Sequence, residues 1–208
     1  MMYPRAGVSS ILLLALALPG AVGCNQLEGS GEIHGTLNLV GCDDVTGGFS
    51  MDLDFFAIER FGERGLEVRL QNGGRGLEVS DALLLTLYDV DEVIERRGEE
   101  LAVKPLDLER KGRGEYVLCA PSSGALPRGC PLVRADLNLP TRCPREVTAP
   151  LLQGMVVFTH LGTMANDRVA GSFELEAIAA RSQEVIGELI GRFNFIVRQG
   201  HPYQRFIE

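Results

Sequence analysis

Hydrophobic and polar residues alternate with a period of two through most of the chain after residue 31, as in strands that bury one face. In segment 49–55, for example, hydrophobic residues occupy the odd positions and polar residues the even ones. Further strands are predicted at 33–39, 66–70, 115–119, 133–139, 155–160, 169–178 and 189–198, and the apolar run 82–88 predicts one more. About nine short strands with turn residues between them predict an all-β fold, a single antiparallel β-sandwich, with a barrel as the alternative.

Three local patterns refine this fold. Segment 82–88 is apolar almost throughout, as expected for a strand in the interior of a sheet with both faces covered. Asp89 followed by Glu92 forms a capping box and predicts one short helix that ends at Gly98. The four residues 76–79 repeat the pattern of residues 65–68 across an Asn-Gly-Gly turn, which suggests a hairpin.

Two of the last strands share a Gly-x-Phe pattern. Gly171 precedes Phe173 by two residues, and Gly191 precedes Phe193 by two, so each glycine shares a face with its phenylalanine. A glycine at such a position lets an aromatic ring lie across a neighbouring backbone. Segment 179–187 between these strands is predicted as a hairpin loop or a short helical turn. The aromatic-rich segment 200–206 is predicted to seal a sheet edge, with docking on a partner as the alternative.

The amino terminus has the layout of a secretory signal peptide. Residues 1–7 carry one positive charge, Arg5, and an apolar run at 11–18 follows, which is interrupted by Pro19 and Gly20. A membrane-spanning helix needs roughly 20 apolar residues, so this run is too short to be a permanent span. We therefore predict that residues 1–23 are a signal peptide removed from the mature chain.

The sequence Ala21-Val22-Gly23-Cys24 resembles the lipobox of bacterial lipoproteins. The resemblance implies cleavage before Cys24 by signal peptidase II, a diacylglycerol on its thiol and an acylated amino terminus. Ala21 departs from the leucine that is usual in that family, and signal peptidase I, which would release a soluble chain, is the alternative. Asn25 follows the cysteine where an aspartate commonly signals inner-membrane retention, so the resemblance implies the outer membrane, on its periplasmic or surface face.

Cysteine parity supports lipidation of Cys24. The other four cysteines, Cys42, Cys119, Cys130 and Cys143, form an even set that suits two disulfides in an oxidising compartment. Because no C-x-x-C pair occurs, disulfides are favoured over a zinc site. Of the three possible pairings we prefer Cys119 with Cys130 and Cys42 with Cys143.

Composition limits the partners of the protein. The formal net charge of −8 predicts repulsion from nucleic acid and from anionic membrane surfaces, so we expect no nucleic-acid partner and membrane contact through the lipid. The 45% hydrophobic content is that of a folded protein. We assign residues 24–31 to the lipid-attachment cysteine and a short tether, and 32–208 to one β-sandwich domain.

Acidic residues near strand ends offer the main alternative chemistry. Calcium needs six to eight oxygens from converging loops, and the segment 87–91 faintly resembles the acidic loops of calcium-dependent phospholipid-binding sandwich domains. The aspartates concerned are Asp43, Asp44, Asp52, Asp54, Asp81, Asp89 and Asp91. Solvated strand-end carboxylates explain them more simply, because no complete calcium-loop motif occurs.

No catalytic motif is apparent in the sequence. The three histidines, His34, His160 and His201, have no neighbouring nucleophile pattern, and no G-x-S-x-G elbow occurs. We name no catalytic residue, no metal ligand and no cofactor. The resulting expectation is an envelope lipoprotein that acts as a non-catalytic binding or structural module, with a possible protein partner in the envelope. The alternatives are a calcium-binding sandwich domain and a hydrolytic or metal-dependent enzyme whose site forms only in three dimensions.

Overall fold

The computed structural model describes residues 29–42, 45–73, 80–106, 119, 126–127, 129–143 and 147–197. These residues form ten strands and one short helix, so the all-β prediction is confirmed. The elements in chain order are β1 (Gly29–Asn38), β2 (Thr46–Leu53), β3 (Phe55–Phe61), β4 (Gly65–Gln71), β5 (Ala82–Leu87), α1 (Val90–Glu95), β6 (Leu101–Val103), β7 (Val133–Asn138), β8 (Leu151–Leu161), β9 (Arg168–Ile178) and β10 (Val185–Ile196).

All ten strands belong to one sheet, in the order β2-β1-β10-β9-β8-β6-β7-β5-β4-β3. Neighbours are antiparallel except β6 and β7, which make a single parallel pair that the sequence did not predict. The two edge strands, β2 and β3, are separated in sequence only by Asp54. The single sheet therefore curls into a nearly barrel-like shape, which was the alternative to a sandwich, and its two halves face each other across the core.

The inner face of the sheet forms one hydrophobic core. Phe56 of β3 stacks on Phe195 of β10 with ring centroids 5.0 Å apart, which joins opposite halves of the sheet. Phe193 packs edge-on against Phe158 at 5.8 Å. The period-two alternation arises because every second side chain of a strand points inward. Large side chains fill this interior, including Ile33, Leu37, Met51, Leu66, Leu70, Leu83, Leu85, Leu87 and Leu101.

The Gly-x-Phe prediction is confirmed in a reciprocal form. Gly171 lies opposite Phe193 in the β9–β10 register, and Gly191 lies opposite Phe173. A Cβ atom on Gly191 would collide with the ring of Phe173, and one on Gly171 would press on the ring of Phe193. Each ring therefore covers the bare backbone of the neighbouring strand.

The predicted helix is present, but it ends at Glu95, three residues before Gly98. The carboxylate of Asp89 caps its first turn by accepting a hydrogen bond from the backbone N–H of Glu92 at 3.2 Å. Val90 and Val93 face the core from α1. Gly98 adopts a φ of 87° just beyond the helix, a conformation that favours glycine.

The predicted strand 49–55 is wrong at its end, because Asp54 divides it. Leu53 ends β2 facing the core, and β3 starts at Phe55 with the opposite phase, so that Phe56 rather than Phe55 belongs to the central core cluster. Strict alternation would have placed Phe55 in that cluster. The break at Asp54 allows the chain to pass from one edge of the sheet to the other.

Other boundaries differ in smaller ways. β6 was not predicted, because three residues are too few for a periodic pattern. β5 lies inside the sheet between β4 and β7, although Leu84 on its outer face is only half-buried. Residues 179–184 form the β9–β10 hairpin loop, in which Ala179 donates to the carbonyl of Glu184 at 2.9 Å. The segments 76–79, 115–118 and 200–206, for which predictions were made, lie outside the described residues. Among the described strands, β4 pairs with β3 and β5.

Candidate functional site

Side chains bridge the seam where the sheet approaches closure. The guanidinium of Arg142 donates to the backbone carbonyl of Ser50 on β2 at 3.1 Å, and the amide of Asn72 donates to the carbonyl of Asp52 at 2.9 Å. Arg142 also forms an ion pair at 3.0 Å with the buried carboxylate of Asp81. These contacts occupy the carbonyls of an edge strand, which would otherwise invite pairing with another chain.

Both disulfide pairings are the predicted ones. Cys42 and Cys143 are bridged with their Cα atoms 4.3 Å apart, and Cys119 and Cys130 with theirs 5.6 Å apart. The first bridge joins the β1–β2 turn to the segment after β7, directly beside the seam at Arg142. Cys24 lies outside the described residues.

In the acidic loop 87–91, which suggested calcium, the two aspartates form ion pairs with an arginine side chain. Arg64 lies 2.7 Å from the carboxylate of Asp89 and 3.4 Å from that of Asp91. Asp54 accepts a hydrogen bond from the backbone N–H of Gly73 at 2.6 Å. Within the described ranges, no three His, Cys, Asp or Glu side chains are grouped to hold a metal ion. Asp43 and Asp44 lie outside those ranges.

The described histidines are far apart on the sheet. His34 is exposed on β1, and His160 is exposed on β8, with β10 and β9 between them. His160 lies 3.4 Å from the hydroxyl of Thr159 at a bulge in β8. His201 lies outside the described residues.

Charged side chains form a cluster on the outer face of β4, β5 and β7, where Arg69 is buried and the other members are half-buried. Arg69 forms an ion pair with Glu67 at 3.2 Å on β4, and Arg134 donates from Nε to Asp136 at 3.0 Å on β7. Thr86 of β5 lies in register between Glu67 and Arg134, so the two ion pairs flank one intervening strand. We call these four charged residues the outer charged cluster.

Burial and neighbouring charges perturb this cluster. Burial raises the pKa of Glu67 above its ordinary value, and repulsion from Glu59 and Asp136 adds to the rise, while Arg69 opposes it. For Arg134, burial lowers the pKa, but attraction and hydrogen bonding to Asp136, with a smaller contribution from Tyr88, raise it more. Arg134 is therefore firmly cationic, whereas Glu67 takes up a proton more readily than a solvated glutamate.

A cleft of about 590 Å³ opens where β6 leaves the sheet. Pro105 follows β6 and has no N–H to continue a ladder, so the chain diverges from β8 there. Leu106 and Leu151 give the cleft an apolar lining, and Lys104 and Glu176 contribute opposite charges. A cleft of this size, with apolar walls and a few polar groups, is of the kind in which proteins hold small ligands.

Sequence reasoning missed both the cluster and the cleft. The cluster had a weak signal, since Glu67 with Arg69 and Arg134 with Asp136 place opposite charges two residues apart on one strand face. The cleft had none, because it depends on where β6 leaves the sheet.

Comparisons with protein-family models, with curated proteins and with solved structures found no match to this chain. Among the described residues, no helix has the length and hydrophobicity needed to cross a bilayer.

Proposed function

We propose that this protein is a lipid-anchored lipoprotein of the bacterial cell envelope whose β-domain acts as a non-catalytic binding or structural module. The observation that carries the proposal is the cysteine pairing. Four of the five cysteines pair with one another, which leaves Cys24 as the single cysteine for another chemistry. Cys24 directly follows three small or apolar residues at the end of the proposed signal peptide. This is the position at which lipoproteins carry their lipid.

The proposed anchor is strong enough to hold the domain without further contacts. Each buried methylene contributes about 0.8 kcal/mol, and one acyl chain alone gives only reversible membrane binding. A diacylglycerol thioether with an added amide-linked chain buries three acyl chains, so the binding free energy is several times that of one chain. The acidic domain, with its net charge of −8, adds no general electrostatic attraction to an anionic bilayer.

The arrangement of buried ionisable groups supports a module rather than an enzyme. Asp81 is bound by Arg142 and Asp89 by Arg64, and both contacts join separate parts of the chain. The outer charged cluster is likewise arranged as cation–carboxylate pairs. Such pairs set the conformation of loops and strands, as expected of a scaffold.

Metabolic labelling with radioactive palmitate tests the anchor. Wild-type protein should incorporate the label, and Cys24→Ala should lose it. A double variant, Cys119→Ala with Cys130→Ala, is the matched control, because it also removes cysteines but should stay labelled. Absence of label from the wild type would overturn the proposal and favour a soluble secreted chain.

Sorting to the outer membrane is tested separately. Asn25 should direct the lipidated protein to the outer membrane, and Asn25→Asp should retain it in the inner membrane when membranes are separated by density. Equal distribution of the two forms would show that this residue does not sort the protein.

A further inference from the structure

The first described residue of β1 lies at a defined end of the sheet. Gly29 pairs with Phe195 near the end of β10. The β8–β9 turn lies at the same end, because Asn166 donates to the carbonyl of Val197 at 2.8 Å and Val197 donates to that of Asp167 at 2.9 Å. We call this the Gly29 end of the sheet. The β1–β2 turn, which follows Asn38, lies at the opposite end.

A lipid on Cys24 restricts which end can reach the bilayer, and this step rests on the proposed function. Gly29 lies five positions after Cys24, so a fully extended chain places them at most about 18 Å apart. β10 has 12 residues and so extends for about 40 Å from one end of the sheet to the other. Because β1 already begins at Gly29, the tether is shorter than the predicted 24–31. It therefore holds the Gly29 end near the membrane.

The β8–β9 turn presents one apolar side chain outward from that end. Met164 is 70% exposed. The carboxylate of Asp167 accepts hydrogen bonds from the backbone N–H groups of Thr163, at 3.0 Å, and Met164, at 2.9 Å. Gly162 packs so closely on Asp167 that a Cβ there would collide with it. The turn is thus held by its own hydrogen bonds with the methionine at its tip.

The segment of chain that leads to Met164 carries no charged side chain. Residues 147–166 contain no Asp, Glu, Lys or Arg, although the chain as a whole has a net charge of −8. The one carboxylate that follows, Asp167, is engaged by backbone N–H groups of the turn. Anionic headgroups would therefore repel this turn less than they repel the acidic remainder of the surface.

We propose that the β8–β9 turn, residues 162–167, docks on the lipid bilayer and places Met164 at the boundary between headgroups and acyl chains. Apolar side chains of interfacial segments enter that boundary by about 5–10 Å. The domain then stands on its Gly29 end, and the disulfide Cys42–Cys143 and the seam at Arg142 face away from the membrane.

The absence of tryptophan from the sequence provides a clean test. A single tryptophan is introduced at Met164 in one variant and at Val40, which is 95% exposed in the β1–β2 turn, in the other. Both lipidated mature proteins are reconstituted into phosphatidylcholine vesicles, with or without bromine on the acyl chains. Because both variants carry the same residue, the preference of tryptophan for interfaces cancels in the comparison.

We expect Met164→Trp to emit at shorter wavelength in vesicles and to lose most of its intensity to brominated lipid, with Val40→Trp unchanged. If the protein floats with the vesicles but brominated lipid quenches neither variant, or quenches Val40→Trp more strongly, the docking proposal is overturned and the anchor stands. If the lipid-processed protein does not float with the vesicles, the proposed anchoring itself fails.

Discussion

The two disulfides should differ in how much they stabilise the fold, because they close loops of very different length. Cys42 and Cys143 are 101 residues apart in sequence, and Cys119 and Cys130 are 11 apart. We consider two double variants, one for each bridge, in which both cysteines become alanine. Each is made in a Cys24→Ala background so that unfolding can be measured without detergent.

The stabilisation by each disulfide follows from the chain entropy that the bridge removes from the unfolded state. Closing the long loop should stabilise the fold by about 4.7 kcal/mol and closing the short loop by about 2.8 kcal/mol, a difference of about 2 kcal/mol. Loss of the long bridge also frees the backbone beside Arg142, whose contacts with Ser50 and Asp81 hold the seam. The entropic difference is therefore a lower bound.

Urea and thermal unfolding of both variants would measure this difference. For a protein of this size, a difference of about 2 kcal/mol corresponds to a gap of roughly 4–8 °C in Tm. The variant that lacks Cys42–Cys143 should be the less stable of the two under non-reducing conditions. Equal stabilities, or a larger loss from removing Cys119–Cys130, would refute the argument from loop length.

Three further predictions concern single positions. Gly191→Ala should destabilise the fold by about 1–3 kcal/mol, because the new Cβ collides with the ring of Phe173. Gly48→Ala is the control, because no atom lies within 4 Å of a Cβ there. Equal urea midpoints for the two variants would contradict the predicted destabilisation. Glu67→Gln should be neutral or stabilising at pH 7, since the raised pKa of Glu67 means that folding disfavours its charged form. The free energy of unfolding of the wild type should rise relative to that of Glu67→Gln as the pH falls through the raised pKa. A wild type that instead loses stability relative to this variant in acid would contradict the prediction. Asp89→Ala should cost about 1 kcal/mol through the lost helix cap, measured by urea unfolding, and more from the broken ion pair; an unchanged midpoint would show that the cap contributes nothing.

The sequence by itself determined the local structure of this protein. Alternation identified the faces of most strands, because a strand must turn every second side chain inward. The cap at Asp89 and the glycines opposite Phe173 and Phe193 were readable since each depends on residues close together in sequence or on a shared strand pattern. The even number of cysteines after Cys24 predicted two disulfides with three possible pairings, and the structure has the preferred one.

Only the tertiary structure decided how the strands assemble into one nearly closed sheet. Asp54 shifts the phase between β2 and β3, and this single break places consecutive strands at opposite edges of one sheet. The partners of Arg142 are up to 92 residues away in sequence, and no local pattern links them. The sharing of one end by Gly29 and the Met164 turn likewise depends on strand order. Strand order arises from packing between distant segments, which alternation within a single strand does not encode.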